Sequence, residues 1–310
     1  LERADVVPRT VLPSHISPRH GRRRAGFHLK RLAGGIAAWF LERGSQRIVA
    51  PLGCSVLAPE LMGCLERLAG LAGRAFAVGL EIEARATGLD NGICLLLSGP
   101  PGWHDGLLEP LAAWGVEAGL ARLSVCESGG TPLTLLAPAP PVLRFGDIAM
   151  TPPPGAFLQA TREAEATLQQ DVATFLQGAA RIIDLYAGCG TLSLPLLPTL
   201  SHLRAVEMDQ AALESLRHAA DLAGRGAQVT CHEADLAAAP LDAAQFDGLD
   251  GVIIDPPRAG AAAQCAALSQ SAVPRVAMVS CNPATFARDA ASLLAGGYRL
   301  ERLRMVDQFR

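Results

Sequence analysis

Residues 181–196, RIIDLYAGCGTLSLPL, constrain the fold more than any other stretch of this 310-residue chain. Ile182 and Ile183 lead into Asp184, a turn bearing Gly188 and Gly190 follows, and residues 192–197 resume an apolar face with helical spacing. This order predicts a strand, a tight turn and a helix. The glycines let the backbone pass close under a ligand, and a carboxylate at the strand end can accept hydrogen bonds from ligand or loop groups. The spacing Asp-x-x-x-Gly-x-Gly lacks the third glycine that packs a helix tightly beneath a pyrophosphate. A ligand without phosphate, such as S-adenosylmethionine, suits this looser turn better than a dinucleotide does.

Alone, the turn is common to many doubly wound proteins. Four later runs sharpen it. LRAVEMD ends a second apolar strand at Glu207, about 20 residues past the glycines, where an acidic side chain meets ribose hydroxyls. QVTCHEAD ends a third strand at Asp235, GVIIDPPR a fourth at Asp255-Pro256-Pro257, and RVAMVSCNP a fifth at Cys281-Asn282-Pro283. Helical patterns over 210–222, 261–271 and 283–295 alternate with these strands. The pattern predicts an α/β fold, a doubly wound parallel sheet with helices on both faces and ligands at the carboxyl ends of its strands.

The first half reads differently. Residues 8–18 are rich in turn formers and read as irregular, and RRRAGFHLKR, IAAWFLER and SQRIVAPLG read as strand pieces. A helix is predicted over 59–71 and another over 107–120, with hairpins at Asp90-Asn91-Gly92 and in SVCESGGTPLTLL. Prolines at 138–141 mark a linker. The expected domains are therefore 1–139, mixed α+β, and 140–310, the doubly wound domain. Residues 145–161 bridge them; their prolines and glycine argue against regular structure, and they end in Phe157-Leu158-Gln159 before a helix over 161–176. A simple helix cap explains Gln159 poorly. The final YRLERLRMVDQFR alternates like a strand.

Composition excludes several classes. No apolar run approaches bilayer-spanning length, so a soluble protein is expected; no signal-peptide pattern is present, and the scattered cysteines fit a reducing, cytoplasmic setting. Because the first residue is Leu1, native sequence is expected before it. Eight cysteines lie far apart with no Cys-x-x-Cys pair, which argues against a zinc ribbon or a disulfide framework. Residues 1–48 carry ten basic side chains against three acidic ones, in a chain whose net charge is -3. A polyanion such as RNA would be drawn there.

Cys281 is the candidate reactive group. It ends a buried strand just before a proline that opens a helix, and a helix N-terminus stabilises a thiolate. The other seven cysteines read as small buried hydrophobes. A thiol has a use in methyl transfer to uracil, whose C5 is too weak a nucleophile to attack a sulfonium. Thiolate addition at C6 pushes electron density onto C5, and a base must later remove the C5 proton so that the thiol can leave.

Together, DLYAGCGTLSLPL, AVEMD, IIDPPRAGA and VSCNPATFARD, in this order and with FLQ upstream, closely resemble the RNA 5-methyluridine methyltransferase family. The resemblance covers residues 157–289. It implies a class I S-adenosylmethionine domain that methylates uridine C5 in RNA. Motif by motif, Cys281 falls on the family's nucleophile, and Gln159, Tyr186, Thr191, Glu207, Asp235 and Asp255 fall on its cofactor-contacting positions; Asp184 and Gly188 belong to the same turn. Thr191 and Asp235 stand where relatives often carry asparagine. Arg258, Asn282 and Pro283 complete the substrate-side motifs, and Asp255 also borders the target base in relatives.

The first half resembles the family's central domain more loosely, through PSHISPRHGRRRAGFHL and SQRIVAPLGCSVLAPEL. Cys54 there matches the fourth ligand of an iron-sulfur cluster in ribosomal-RNA members, so the resemblance implies a 4Fe-4S cluster in the longer native protein, its other ligands and a small RNA-binding barrel lying before Leu1. It also implies a Pro-x-Thr-x-His-Val-Glu stretch beyond Arg310, carrying the base; Asp307 precedes that position. Cys54 favours ribosomal RNA, 23S RNA in particular, as substrate, with Arg22 to Arg24 as a phosphate contact surface, and a monomeric enzyme is expected. Three other readings stay open: a transfer-RNA uridine methyltransferase, an amino-group methyltransferase using Asp255-Pro256-Pro257, and a non-catalytic RNA-binding protein that keeps a cofactor pocket.

Overall fold

The computed structural model describes residues 6–41, 48–49 and 53–309. They form two compact units, each assembled from separate chain segments. The amino-terminal unit comprises Ser17–Leu143, Thr151–Arg162 and the chain from Gln308; the carboxyl-terminal unit comprises the residues up to Ile16, Arg144–Met150 and Glu163–Asp307.

The amino-terminal unit is a seven-stranded mixed sheet. Its strands are β3 (Arg24–Leu32), β4 (Gly35–Leu41), β5 (Ile48–Val49), β6 (Glu81–Leu89), β7 (Gly92–Gly99), β8 (Arg122–Glu127) and β9 (Leu133–Leu136), in the order β5-β4-β3-β6-β7-β8-β9. Of the expected strand SQRIVAPLG, residues 45–47 and 50–52 lie outside the described residues. Strand β3 shows the period of two directly: Ala25, Phe27 and Leu29 are buried, while Arg24, His28 and Lys30 are not. The buried face packs under α1 (Pro59–Ala75), which starts with proline at its first position and buries Leu61, Leu65, Leu68 and Ala72 at helical spacing. Asp90-Asn91 turns β6 into β7 as expected, whereas β7 and β8 run parallel and need a crossover, supplied by α2 (Leu108–Glu117) through Leu111 and Trp114. On the opposite face of the sheet, Thr87 is registered with Arg24 and Gly26 with Arg85, which brings those two arginines together.

The carboxyl-terminal unit holds the predicted parallel sheet, from β12 (Arg181–Leu185), β13 (His202–Glu207), β14 (Val229–Glu233), β15 (Gly251–Ile254) and β16 (Val276–Met278). Its order is β14-β13-β12-β15-β16, so the chain reverses direction of growth between β12 and β15 and leaves a crevice there at the strand ends. Ile182, Ile183, Leu185, Val252, Ile253 and Ile254 are fully buried, as central parallel strands covered on both faces require. The helices are α3 (Arg162–Phe175), α4 (Gln210–Leu222), α5 (Ala262–Leu268) and α6 (Pro283–Ala295).

Four expectations are corrected. The helix after the glycine turn is a short 3-10 helix, Leu194–Thr199, because Pro195 and Pro198 lack amide donors and a proline ring obstructs the preceding turn of an α-helix. Residues 145–161 are not wholly irregular, since β10 (Leu143–Phe145) and β11 (Ile148–Met150) form a two-stranded sheet around Gly146, whose φ of 59° permits the reversal. Residues 8–18 are not irregular throughout, and the final segment is not one strand. Instead β1 (Thr10–Val11) pairs in parallel with β17 (Arg302–Leu303), and β2 (His15–Ile16) with β18 (Val306–Asp307). Between the two pairs, Arg304 forks onto Asp171 of α3. Among the described residues, no helix is long and apolar enough to cross a membrane.

Candidate active site

The turn after β12 is strained in a directed way. Tyr186 adopts φ 61°, a conformation costly for a side chain of its size, and Gly188 and Gly190 follow at φ 52° and 79°. The two glycines serve different ends. A Cβ on Gly190 would lie 2.8 Å from Leu194 Cγ and 2.9 Å from Leu216 Cδ1, so this glycine is needed for packing. A Cβ on Gly188 would meet nothing within 4 Å, so this glycine faces open space where a ligand can approach the backbone.

Glu207, at the end of β13, holds the turn in place. Its Oε2 accepts the Gly188 amide at 2.9 Å, and its Oε1 accepts the amides of Met208 and Asp209 at 2.8 and 3.0 Å. A carboxylate offers roughly four lone-pair sites, so one remains for an incoming hydroxyl. Thr191 is half-buried, and its carbonyl accepts from Gln169 of α3 at 2.9 Å. Asp235 is exposed and caps the next turn through the amides of Ala237 and Ala238.

Asp184 is only 2% exposed, and its Oδ2 has no hydrogen-bond partner. Burial pushes its carboxyl up to about 7; Ser193 opposes the shift, and the nearby Asp255 and Glu207 charges add to it. Burial likewise lifts Asp255 to about 6. Tyr186 is raised to about 12, by burial first and then by the charges around it, so its hydroxyl stays protonated. Three carboxyl groups whose charges oppose one another, beside a glycine open to solvent, fit a cationic ligand such as a sulfonium nucleoside.

The second half of the site lies on β15, β16 and α6. Of eight cysteines only Cys281 is exposed; five are buried and two intermediate. It directly precedes Asn282, the N-cap of α6, whose Oδ1 accepts the Ala284 amide at 3.1 Å, and Pro283 occupies the first helical position. Asn282 also donates from Nδ2 to the carbonyl of Arg258 at 3.1 Å, tying the Asp-Pro-Pro-Arg loop to the cysteine turn. The structure therefore brings Asp184, Tyr186, Gly188, Thr191, Glu207, Asp235, Asp255, Arg258, Cys281, Asn282 and Pro283 onto the strand ends of one unit.

Gln159 and Cys54 belong to the amino-terminal unit. Gln159 is 7% exposed; its Oε1 accepts from Gln308 Nε2 at 3.0 Å, and its carbonyl accepts from Arg23 Nε at 3.3 Å. Cys54 is half-buried against the core of that unit. Among the described residues no group of three or more His, Cys, Asp or Glu side chains could hold a metal, and a cluster takes about four thiolates, so these residues alone do not fit one. Sequence reasoning gave no role to Gln169, Thr285, Arg288 or Asp289, whose contacts fix the two loops of the site.

The chain is 36% identical over 292 residues to an uncharacterized RNA methyltransferase of Mesorhizobium japonicum, a match that spans 94% of this chain and 69% of that protein. The model of the tRNA (uracil-5-)-methyltransferase family matches residues 235–310. The chain belongs to the RNA uracil-5 methyltransferase family. As a uracil-5 methyltransferase it is an enzyme that uses S-adenosylmethionine. Another relative, the 23S rRNA (uracil(1939)-C(5))-methyltransferase RlmD of Chromohalobacter salexigens, is 34% identical over 93% of this chain and 62% of its own length. In fold the chain is similar to the Pyrococcus abyssi tRNA (uracil-54, C5)-methyltransferase solved with S-adenosyl-L-homocysteine, with a TM-score of 0.75 and 22% identity over 96% of this chain and 75% of that one. The residues matched by the uracil-5 methyltransferase model include Asp235, Asp255, Arg258 and Cys281.

Proposed function

We propose that this methyltransferase acts on C5 of a uridine in ribosomal RNA, 23S RNA being favoured, through covalent addition of Cys281. One observation carries the reading: the single exposed thiol stands at the N-terminus of α6, tied through Asn282 to the Asp-Pro-Pro-Arg loop. The name of the Chromohalobacter relative and the position of Cys54 support the ribosomal substrate. When bound, S-adenosylmethionine supplies a methyl group on a cationic sulfur. Glu207 would accept from one of its ribose hydroxyls with its remaining lone pair, and Gln159, Tyr186, Thr191, Asp235 and Asp255 would complete its contacts.

In the proposed reaction Cys281 Sγ forms a bond to C6 of uracil, and the C5–C6 π electrons move through C5 toward the C4 oxygen. C5 would then take the methyl group as the methyl–sulfur bond breaks, its electron pair staying on sulfur to leave a neutral thioether. A base takes the C5 proton, the C5–H electron pair reforms the C5–C6 double bond, and the Sγ–C6 bond breaks with its pair on sulfur, returning the thiolate. Arg258, Asn282 and Pro283 would border the base, and residues 1–139 would grip the RNA through arginines such as Arg22 and Arg24.

RNA carrying 5-fluorouridine at the target tests the covalent step, because fluorine cannot leave C5 as a proton does. A stable protein–RNA adduct is expected by mass spectrometry, and Cys281→Ser should abolish it while reducing methyl transfer at least about a thousandfold. Adduct surviving that substitution would assign the nucleophile elsewhere. An amino-group methyltransferase would instead remain active in Cys281→Ala.

A further inference from the structure

The Asp-Pro-Pro-Arg loop is fastened to α6 and its N-cap at three backbone groups. The carbonyl of Arg258 accepts from Asn282 Nδ2 at 3.1 Å and from Thr285 Oγ1 at 3.4 Å. The carbonyl of Ala259 accepts from Arg288 Nη2 at 2.9 Å. The amide of Ala261 donates to Asp289 Oδ2 at 2.7 Å. Arg288 and Asp289 are themselves joined, Nε to Oδ1 at 2.7 Å, so both loop contacts belong to one ion pair.

The fit at the centre of this arrangement is tight. Asp289 is 2% exposed, and a buried carboxylate is tolerated when it is paired and fully hydrogen-bonded. Gly260, at φ 79°, passes so close that a Cβ there would lie 2.4 Å from Arg288 Nη2, 2.5 Å from Asp289 Oδ2 and 2.9 Å from Thr285 Cβ. Cys281 stands two residues before the same helix begins. The loop carrying Asp255 and Arg258 and the turn carrying Cys281 are thus mounted on one rigid element.

We propose that Arg288 and Asp289 are positioning residues, which hold Arg258 and Asp255 in fixed register with Cys281 so that a nucleobase between them meets the thiol correctly. This inference rests on the reading of Cys281 as nucleophile. Neither side chain is required to touch substrate. Their effect is on the geometry of attack, where a displacement of about 1 Å can cost about a hundredfold in rate.

The experiment measures, for the full chain, single-turnover adduct formation on 5-fluorouridine RNA, steady-state methyl transfer on ordinary RNA, and S-adenosylhomocysteine affinity. Asp289→Asn should lower both adduct formation and kcat by about ten- to a hundredfold, with KM for RNA and nucleoside affinity changed less than about twofold. Arg288→Lys, on a half-exposed side chain, should retain the charge but reach Ala259 less well and fall between wild type and Asp289→Asn. Gly260→Ala should reproduce the Asp289→Asn phenotype, and the two together should be less than additive because both displace one contact. The proposal is overturned if kcat is unchanged in Asp289→Asn, or if it falls only in step with nucleoside affinity and thermal stability. Cys281→Ser run in parallel separates the two claims: adduct persisting there removes the nucleophile assignment, while the kcat-to-KM pattern of the other variants still judges the positioning role.

Discussion

The two units are charged in opposite senses, and each holds its charge at some cost. In the carboxyl-terminal unit burial lifts Asp184 to about 7 and Asp255 to about 6, toward their neutral forms. In the amino-terminal unit burial lowers Arg24 to about 10, and the neighbouring charges of Arg22, Arg23 and Arg85 push it the same way. Arg24 lies over the Phe157 ring at 4.1 Å and Arg22 over Phe309 at 5.0 Å, contacts that bring no negative charge. One unit thus gathers carboxyl groups and the other guanidinium groups, charges complementary to a sulfonium and to phosphates, the division of ligands proposed above. Ligands of opposite charge can be sorted by location rather than by competition for a single surface.

The largest effect that would break this contrast is at Glu207. Replacing it by Ala removes the acceptor for the amides of Gly188, Met208 and Asp209 together with the proposed ribose contact. Cofactor affinity should fall by about 1–3 kcal/mol while RNA affinity is unchanged. Calorimetric titration with S-adenosylmethionine reads the first quantity and RNA filter binding the second. Equal losses in both would show that the units do not divide the ligands.

Most of the catalytic sheet is legible in the sequence because parallel strands announce themselves locally. Ile182-Ile183 and Val252-Ile253-Ile254 are unbroken apolar runs, and each is followed at once by a candidate site residue, Asp184 and Asp255. The pairing of Thr10–Val11 with Arg302–Leu303 has no such signature, since its partners stand at opposite ends of the chain and two-residue strands show no period. At Leu194–Thr199 two local signals conflict: the apolar spacing is that of a helix face, while Pro195 and Pro198 remove the amide donors an α-helix needs, and the prolines win. The reach of Arg288 and Asp289 back to residues 259–261 depends on how α6 lies on the loop, which no local pattern encodes.

A smaller effect tests the basic side of the contrast. Arg24→Ala should weaken binding to RNA of any sequence and reduce the slope of log K against log salt by about 1 if Arg24 meets one phosphate. S-adenosylmethionine affinity should not move. An unchanged salt slope, measured by titration over several salt concentrations, would place the RNA surface away from Arg24 and leave its crowding by Arg22, Arg23 and Arg85 without a ligand to relieve it.

The smallest effect concerns Asp184 and separates the cost of burying its charge from any use of that charge. The folded protein raises this carboxyl from 3.8 to about 7, so folding favours its protonated form. Its stabilising contribution is therefore complete below the unfolded value and is lost as pH rises through about 7, where the group must ionise in a buried site. Asparagine is neutral throughout. Asp184→Asn should accordingly raise the melting temperature of the ligand-free protein at pH 8, by about 2–4 °C for each kcal/mol of relieved cost, and the gain should shrink as pH falls toward 5. Added S-adenosylmethionine should reverse the order at pH 8, because a sulfonium nearby turns the ionised carboxylate from a burden into a partner, whereas S-adenosylhomocysteine, whose sulfur is neutral, should not. Thermal melts of both proteins with each nucleoside read the result. If the two nucleosides stabilise wild type and Asp184→Asn equally, the carboxylate cluster is not reading the charge of the cofactor, and the acidic half of the contrast is a consequence of packing alone.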